Sequence, residues 1–349
     1  MNFDAPFNTI IKNIFNGKGP SKEECIYLLS FEPHSLESTF MMSIANNICR
    51  TRLNNGGVIY AQIGIDIAPC GANCEFCAFS AEHTDIKPHR MSLEEIAYAV
   101  QTLSREGDLF GVFLMTMENV DIEYVLRAVQ TTRESLATNS QIWVNIGDIT
   151  DSEAEKLKEA GVDGAYHVLR LREGVDSNLN PDDRLRTFDS IRKFGIQVYT
   201  CCEPIGPEHS AEEIFERVFL NYKYGLVQQS AMRRTFIPSL PISKRGVISQ
   251  LRLAQITAII SLSAVSYPDI LAIACHESNP LGLVSGSNIT SAEWGANPRD
   301  DTDEKSEKRG LTINDCRRML FETGYSSIIK NDLEQIPLNE EYLVKVGAL

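Results

Sequence analysis

The spacing of apolar residues changes at Gly57. Before it, apolar positions recur at helical intervals. Ser21-Lys-Glu-Glu24 has the form of a capping box ahead of Ile26, Leu28 and Leu29. A second periodic stretch runs from Leu36 to Cys49 and is broken by Asn54-Asn-Gly-Gly57. From Gly57 onward, short apolar runs alternate with amphipathic stretches. Val58–Ile67, Leu109–Met115, Gln141–Ile146, Val162–Leu171 and Ile196–Cys201 read as strands, as do a run within Val227–Ile237, then Ile270–Cys275 and Asn288–Trp294. The stretches between them read as helices. Ser92-Leu-Glu-Glu95 starts one with Leu93, Ile96, Val100 and Leu103 on one face, and another begins near Asp121. Thr150-Asp-Ser-Glu153 caps one that stops at Gly161, Pro181 opens one, and Ser210-Ala-Glu-Glu213 caps one that stops at Gly225. A long apolar helix is expected over Lys244–Val265, and Thr312-Ile-Asn-Asp315 starts a last one that ends near Gly324.

Strand–helix alternation with short connections implies parallel strands and right-handed crossovers. Eight such units close an α/β (β/α)8 TIM-type barrel, with the site at the C-terminal ends of the strands. A doubly wound open sheet is the alternative. The expected organisation is an N-terminal helical extension over 1–57, the barrel over 58–325 with a C-terminal helix, and a tail over 326–349. The charged stretch Arg299–Arg309 reads as a solvated loop or a lid.

The chain has 349 residues, enough for one barrel, and 43% of them are hydrophobic. A net charge of −14 argues against a nucleic-acid or anionic-membrane partner. No apolar run approaches the roughly 18 residues of a membrane span, and no signal-peptide pattern opens the chain. A cytoplasmic protein is expected, its nine cysteines serving as thiols or metal ligands rather than disulfides. Cys25 and Cys49, on the early helices, read as small buried hydrophobes.

Cys70-Gly-Ala-Asn-Cys74-Glu-Phe-Cys77 directly follows the first strand. Three thiols so spaced can converge on one metal centre and leave one coordination position open. A structural zinc or ordinary Fe–S site would call for a fourth ligand, and His83 and His89 are the nearest candidates. The barrel reading brings other polar residues to the same rim: Glu118, Asn145, Asp148, Arg170, Arg172, Glu173, Cys201, Cys202, Glu203, Arg233, Arg234, Cys275, His276, Glu277, Glu293 and Arg299.

The cysteine motif, with Phe76 before its third cysteine and in the loop after strand one, resembles the signature of radical S-adenosylmethionine (SAM) enzymes. The resemblance implies a [4Fe-4S] cluster on Cys70, Cys74 and Cys77, with SAM on the fourth iron. It also implies reductive cleavage of SAM to a 5′-deoxyadenosyl radical that abstracts hydrogen from a substrate. The helical preface and complete barrel resemble the group of biotin synthase, the hydrogenase maturase HydE and methylornithine synthase PylB. On that resemblance the expected cofactor-binding residues are Phe76, Glu118, Asn145, Arg172, Glu173, Arg184, Glu203 and Gly206. Glu118 is what remains of a Gly-Gly-Glu segment. Glu173 and Arg184 match a Glu and an Arg at a shorter interval than in HydE, and Glu203-Pro-Ile-Gly-Pro-Glu208 matches an adenine-supporting segment with fewer glycines.

Biotin synthase places cysteines of a second cluster on strands three and five. Here those places fall near Trp143–Asn145 and at Tyr199 or Thr200, which argues against that assignment. Glu203–His209 and Asn297-Pro-Arg-Asp300 look most like HmdB-type enzymes of [Fe]-hydrogenase cofactor assembly, although those have a longer interval between their first two cysteines. The expected function is therefore radical chemistry on a small molecule, in cofactor biosynthesis, with a reductant such as flavodoxin or ferredoxin. The alternatives are a cluster-binding scaffold without radical chemistry, a zinc-stabilised hydrolase, and a sulfur-inserting or mutase enzyme. At most one of Cys201 and Cys202 faces the barrel interior. Cys275 and His276 are the candidate catalytic residues, as a hydrogen donor or a substrate-holding pair, with an auxiliary cluster left open. Their other reading is a buried thiol beside a satisfied polar group.

Overall fold

The computed structural model describes residues 3–295 and 310–349. Arg299–Arg309 and Asn297–Asp300 lie outside the described residues. Three helices open the chain: α1 (Ala5–Phe15), α2 (Lys22–Leu29) and α3 (Leu36–Arg52). Ser21 and Glu24 make the capping box that starts α2. The preface is stitched to the later helix α9 (Gln250–Ser263), where Gln255 Nε2 donates to Phe31 O at 3.0 Å and Ser38 Oγ at 2.8 Å.

Eight parallel strands form the barrel: β1 (Gly56–Gly64), β2 (Gly111–Met115), β3 (Gln141–Asn145), β4 (Gly164–Tyr166), β5 (Gln197–Ile205), β6 (Leu226–Arg233), β7 (Ala272–His276) and β8 (Ile289–Trp294). Each pairs with the next from β1 to β7, and β8 pairs with β1. Asn288 joins the remaining seam. Its N–H donates to Ile273 O at 2.9 Å, its Oδ1 accepts from Ile273 N at 3.0 Å, and its carbonyl accepts from Val58 N at 2.8 Å. One buried residue thus links β7 to β1 through its side chain and backbone, and the sheet curls into the TIM-type fold rather than the open doubly wound alternative.

Helices α4 (Leu93–Ser104), α5 (Ile122–Ser135), α6 (Asp151–Glu159), α7 (Pro181–Lys193) and α8 (Ala211–Tyr222) alternate with the strands, and α9 continues the ring. The short α10 (Pro280–Leu283) precedes β8, and α11 (Ile313–Glu322) follows it. Strand residues facing the helices form the main apolar core, with Ile59, Ile63, Val112, Ile142 and Ile273 among them. Inward-facing Tyr60, Phe113, Trp143 and Tyr199 fill the barrel instead. Among the described residues, no helix is long and apolar enough to cross a membrane.

The structure differs from the sequence expectation in three places. The long helix starts at its N-cap Ser249, not Lys244, because Gly246 takes φ +75 and ends a 3-10 turn over Pro241–Arg245. Strand four stops at Tyr166, and the chain beyond it turns into the site. The tail adds β9 (Ser327–Ile329), parallel to the start of β1, and β10 (Gln335–Pro337), followed by α12 (Glu340–Lys345).

A buried ion pair fixes the last turns to the barrel. Arg317 of α11 donates from Nε and Nη2 to the two Asp108 oxygens at 2.7 and 2.8 Å, and Tyr342 of α12 donates to the same carboxylate at 2.6 Å. Both charged side chains are almost wholly removed from water. Arg317→Ala strands a buried carboxylate and should lower stability by about 3–5 kcal/mol. A urea unfolding midpoint equal to the wild type would refute this.

Candidate active site

The three cysteines sit in a loop that folds back on itself. Cys70 N donates to Phe79 O at 2.7 Å, Ala81 N to Cys70 O at 3.0 Å, and Cys77 N to Cys74 O at 3.0 Å. Asn73 takes the left-handed φ of 44° that asparagine tolerates, and its Oδ1 accepts from Glu82 N at 3.2 Å. Two backbone bonds lace this loop to the one after β4: Glu75 N to Asp176 O at 2.9 Å and Asn178 N to Ala72 O at 2.8 Å. Cys74 is buried, while Cys70 and Cys77 are half-buried.

All three cysteines line one cavity at the C-terminal end of the barrel, with Glu118, Asn145, Tyr166, Arg170 and Arg184. In an iron–sulfur cluster each thiolate takes its own iron, and three cysteines on one cavity would leave the fourth iron of a [4Fe-4S] cluster open. Burial pushes the Cys74 thiol up to about 12, eased by Arg170, so metal has to displace a proton there.

A second cavity lies deeper in the barrel mouth and shares Asn145, Tyr166 and Arg170 with the first. Arg170 stands in this wall. Its Nε lies 3.2 Å from Glu203 Oε1, not aligned for a hydrogen bond, and its Nη1 lies 3.7 Å from Glu173. Burial pulls the guanidinium toward neutrality, but Glu203 and Glu173 outweigh it and hold it charged. Tyr166 donates its hydroxyl to Glu203 Oε2 at 2.7 Å. Across the inner cavity the Tyr199 hydroxyl and His276 Nε2 are 2.6 Å apart, with the rings stacked. Asn145 Nδ2 donates to Gln62 Oε1 at 3.3 Å.

The expected site residues are distributed unevenly. Glu118 and Asn145 line the cysteine cavity, Glu203 and His276 the inner one. Phe76 sits below the Arg170 guanidinium, 5.9 Å from its ring centre. Glu173 is buried, with one oxygen accepting from Arg170 N and the other from Ser177 Oγ. Arg184 lines the cavity, but its fork holds Asp148 at 2.9 Å and Val168 O. Arg172 is turned away, donating to Glu213 Oε1 at 3.1 Å and Glu208 O at 3.0 Å. Gly206 lies behind the wall, where a Cβ would collide with Arg234 and Glu208. Cys275 is not in either cavity. It faces the helices, with Asn279 Nδ2 at 3.5 Å from its sulfur. Cys202 also packs outward, its sulfur against Ile214 O, whereas Cys201 alternates with Tyr199 and Glu203 on the inner face. Tyr166 and Tyr199 were not singled out from sequence. The available signal was this period-two register with Glu203.

No family model matches the chain. A biotin synthase of Endomicrobium trichonymphae is 28% identical over 197 residues, covering 54% of this chain and 59% of that protein. A biotin synthase of Trichlorobacter lovleyi is 24% identical over 340 residues, covering 89% of this chain and 97% of that protein. The crystal structure of methylornithine synthase (PylB) superposes with a TM-score of 0.74 at 18% identity, covering 90% of this chain and 95% of that one. In sequence and fold the chain is similar to radical SAM proteins of the biotin synthase and PylB group. The cofactors of radical SAM proteins, a [4Fe-4S] cluster and SAM, match the donor set of the outer cavity. Trp143 and Tyr199, in the strand-three and strand-five regions considered for a second cluster, both face the barrel interior.

Cys70→Ala, Cys74→Ala and Cys77→Ala should each abolish cluster assembly, whereas Cys275→Ala should assemble like the wild type. Iron and sulfide counts after anaerobic reconstitution check both statements. A full complement of iron in Cys74→Ala would overturn the ligand assignment.

Proposed function

We propose that this chain uses radical SAM chemistry to abstract hydrogen from a small molecule held in the inner cavity. The observation that carries this reading is the shared wall. Asn145, Tyr166 and Arg170 each border both the cysteine cavity and the inner one, so a cofactor in the first would lie against a substrate in the second. When bound and reduced, the cluster with SAM supplies a 5′-deoxyadenosyl radical. The chain supplies the rest. Cys70, Cys74 and Cys77 would hold three irons and leave the fourth for SAM. Glu118 lines the same cavity and would take an ammonium group, and Arg170 would offer a cation to a carboxylate. The aromatic floor of Tyr60, Phe113 and Tyr199 keeps water from the reacting carbon, while the Tyr199–His276 pair offers a polar handle to a small substrate.

We assign the enzyme to cofactor biosynthesis, as an HmdB-like relative. Glu203–His209 and Asn297–Asp300 support that reading. A one-electron donor such as flavodoxin or ferredoxin is the expected partner, and the nine free thiols suit the reducing cytoplasm. Aromatic residues at the biotin synthase second-cluster places support hydrogen abstraction without sulfur donation from that position.

The deciding assay reconstitutes the protein anaerobically, reduces it with dithionite, adds SAM and measures 5′-deoxyadenosine. Wild-type protein should form it and Cys74→Ala should not. A stable cluster whose spectrum SAM leaves unchanged, with no 5′-deoxyadenosine, would overturn this reading in favour of a cluster-binding scaffold.

A further inference from the structure

Segment 236–247 leaves the end of β6 and crosses the cysteine loop. Its Ile237, Leu240 and Ile242 are buried together, and Phe76 and Ala78 of the loop pack against them. The 3-10 turn over Pro241–Arg245 then delivers Arg245 to the far side. Its Nη1 donates to both Asp176 oxygens at 3.0 Å, and its Nη2 donates to Glu75 Oε2 at 3.3 Å. Glu75 stands between Cys74 and Phe76. Asp176 also accepts from Glu75 N through its backbone carbonyl at 2.9 Å. One residue after β4 therefore grips the cysteine loop twice, once directly and once through Arg245.

The two contacts of Arg245 differ in weight. Arg245 and Glu75 are each about a third exposed, so that pair is screened by water. Asp176 is only 5% exposed, and Nη1 shared between the two oxygens of a buried carboxylate is the contact whose loss leaves a charge uncompensated. Donor atoms of Asp176, Glu208 and His209 lie within 4.8 Å of one another, an arrangement that suits a cation. Guanidinium groups already serve there: Arg245 on Asp176, and Arg234 on Glu208 with its Nη2 at 3.0 Å. The cluster therefore reads as an organic clasp and not as a metal site.

We propose that Arg245 is the positioning residue of the cysteine loop. It holds segment 236–247 as a strap that keeps the three thiols together and Cys74 buried. The proposal rests on reading the cysteine loop as the cluster site.

The test measures iodoacetamide alkylation of each cysteine in metal-free protein, followed by peptide mass spectrometry. Arg245→Gln should alkylate roughly tenfold faster at Cys74 and Cys77, as expected when a local segment opens. Cys316, buried in the main core, should react at the wild-type rate and so report that the fold is intact. Arg245→Lys keeps the charge on Asp176 without the second nitrogen that reaches Glu75 and should fall between the two. In reconstituted protein, iron release to a chelator should follow the same order. Wild-type alkylation rates at Cys74 and Cys77 in Arg245→Gln would overturn the proposal, as would a parallel rise at Cys316 or no rescue by lysine. Failure of wild-type protein to assemble a cluster would defeat the cluster reading, while the alkylation contrast would still establish the strap.

Discussion

A buried guanidinium dictates the shape of this site. Arg170 stands in the wall between the two cavities, where an unpaired charge would be too costly to keep. Its counter-charges come from different parts of the chain: Glu203 from the end of β5 and Glu173 from the loop beyond β4. Each of these is itself held. Glu203 takes the Tyr166 hydroxyl, and Glu173 takes Arg170 N and Ser177 Oγ. The ends of two strands and the loop that laces the cysteines are thus fixed by one charge balance. That is why chain beyond Tyr166 leaves the ladder so early: residues 167–173 are bent to surround Arg170 rather than to extend β4.

What sequence could show followed from the range of the physics. The strands are legible because their period is local, and the cysteine triad because its ligands lie within eight residues. The tandem Cys275–His276 marks the limit. Alternation says that one of the two faces inward, but only the register of β7 against β6 says that it is His276. Arg172 and Arg184 illustrate a second limit. Their partners Glu213 and Asp148 are about forty residues away, so their commitments are tertiary facts. The early start expected for α9 has a local cause. Lys244 and Arg245 suit a helix by propensity, but Gly246 at φ +75 and the N-cap Ser249 place the boundary after them.

The same division explains why the site tolerates so many charged groups in an acidic protein. Glu75, Asp176, Glu203, Glu208 and Glu213 each meet an arginine near the rim, namely Arg245, Arg170, Arg234 or Arg172. These pairs join the loops to one another, to the end of β5 and to the first turn of α8, so their effect is to fix the rim more than to add stability. A (β/α)8 barrel leaves its catalytic face to loops, which are otherwise its most mobile parts. Cross-loop arginine pairs give that face the rigidity that the strands give to the rest.

The barrel interior sets the remaining constraint, on what can react. Tyr60, Phe113, Trp143 and Tyr199 close the space below the inner cavity, with Tyr60 and Tyr199 each edge-on to the Trp143 ring. Phe113 and Trp143 are direct partners across β2 and β3 and pack against Tyr60 and Tyr199, so rings fill the inward space at this level. A substrate entering from the C-terminal face must therefore stop at the level of Tyr166, Glu203 and His276. That is the level at which the wall to the cysteine cavity stands. The floor that shortens the pocket is thus also what presses a bound molecule against the one wall it shares with the cofactor cavity.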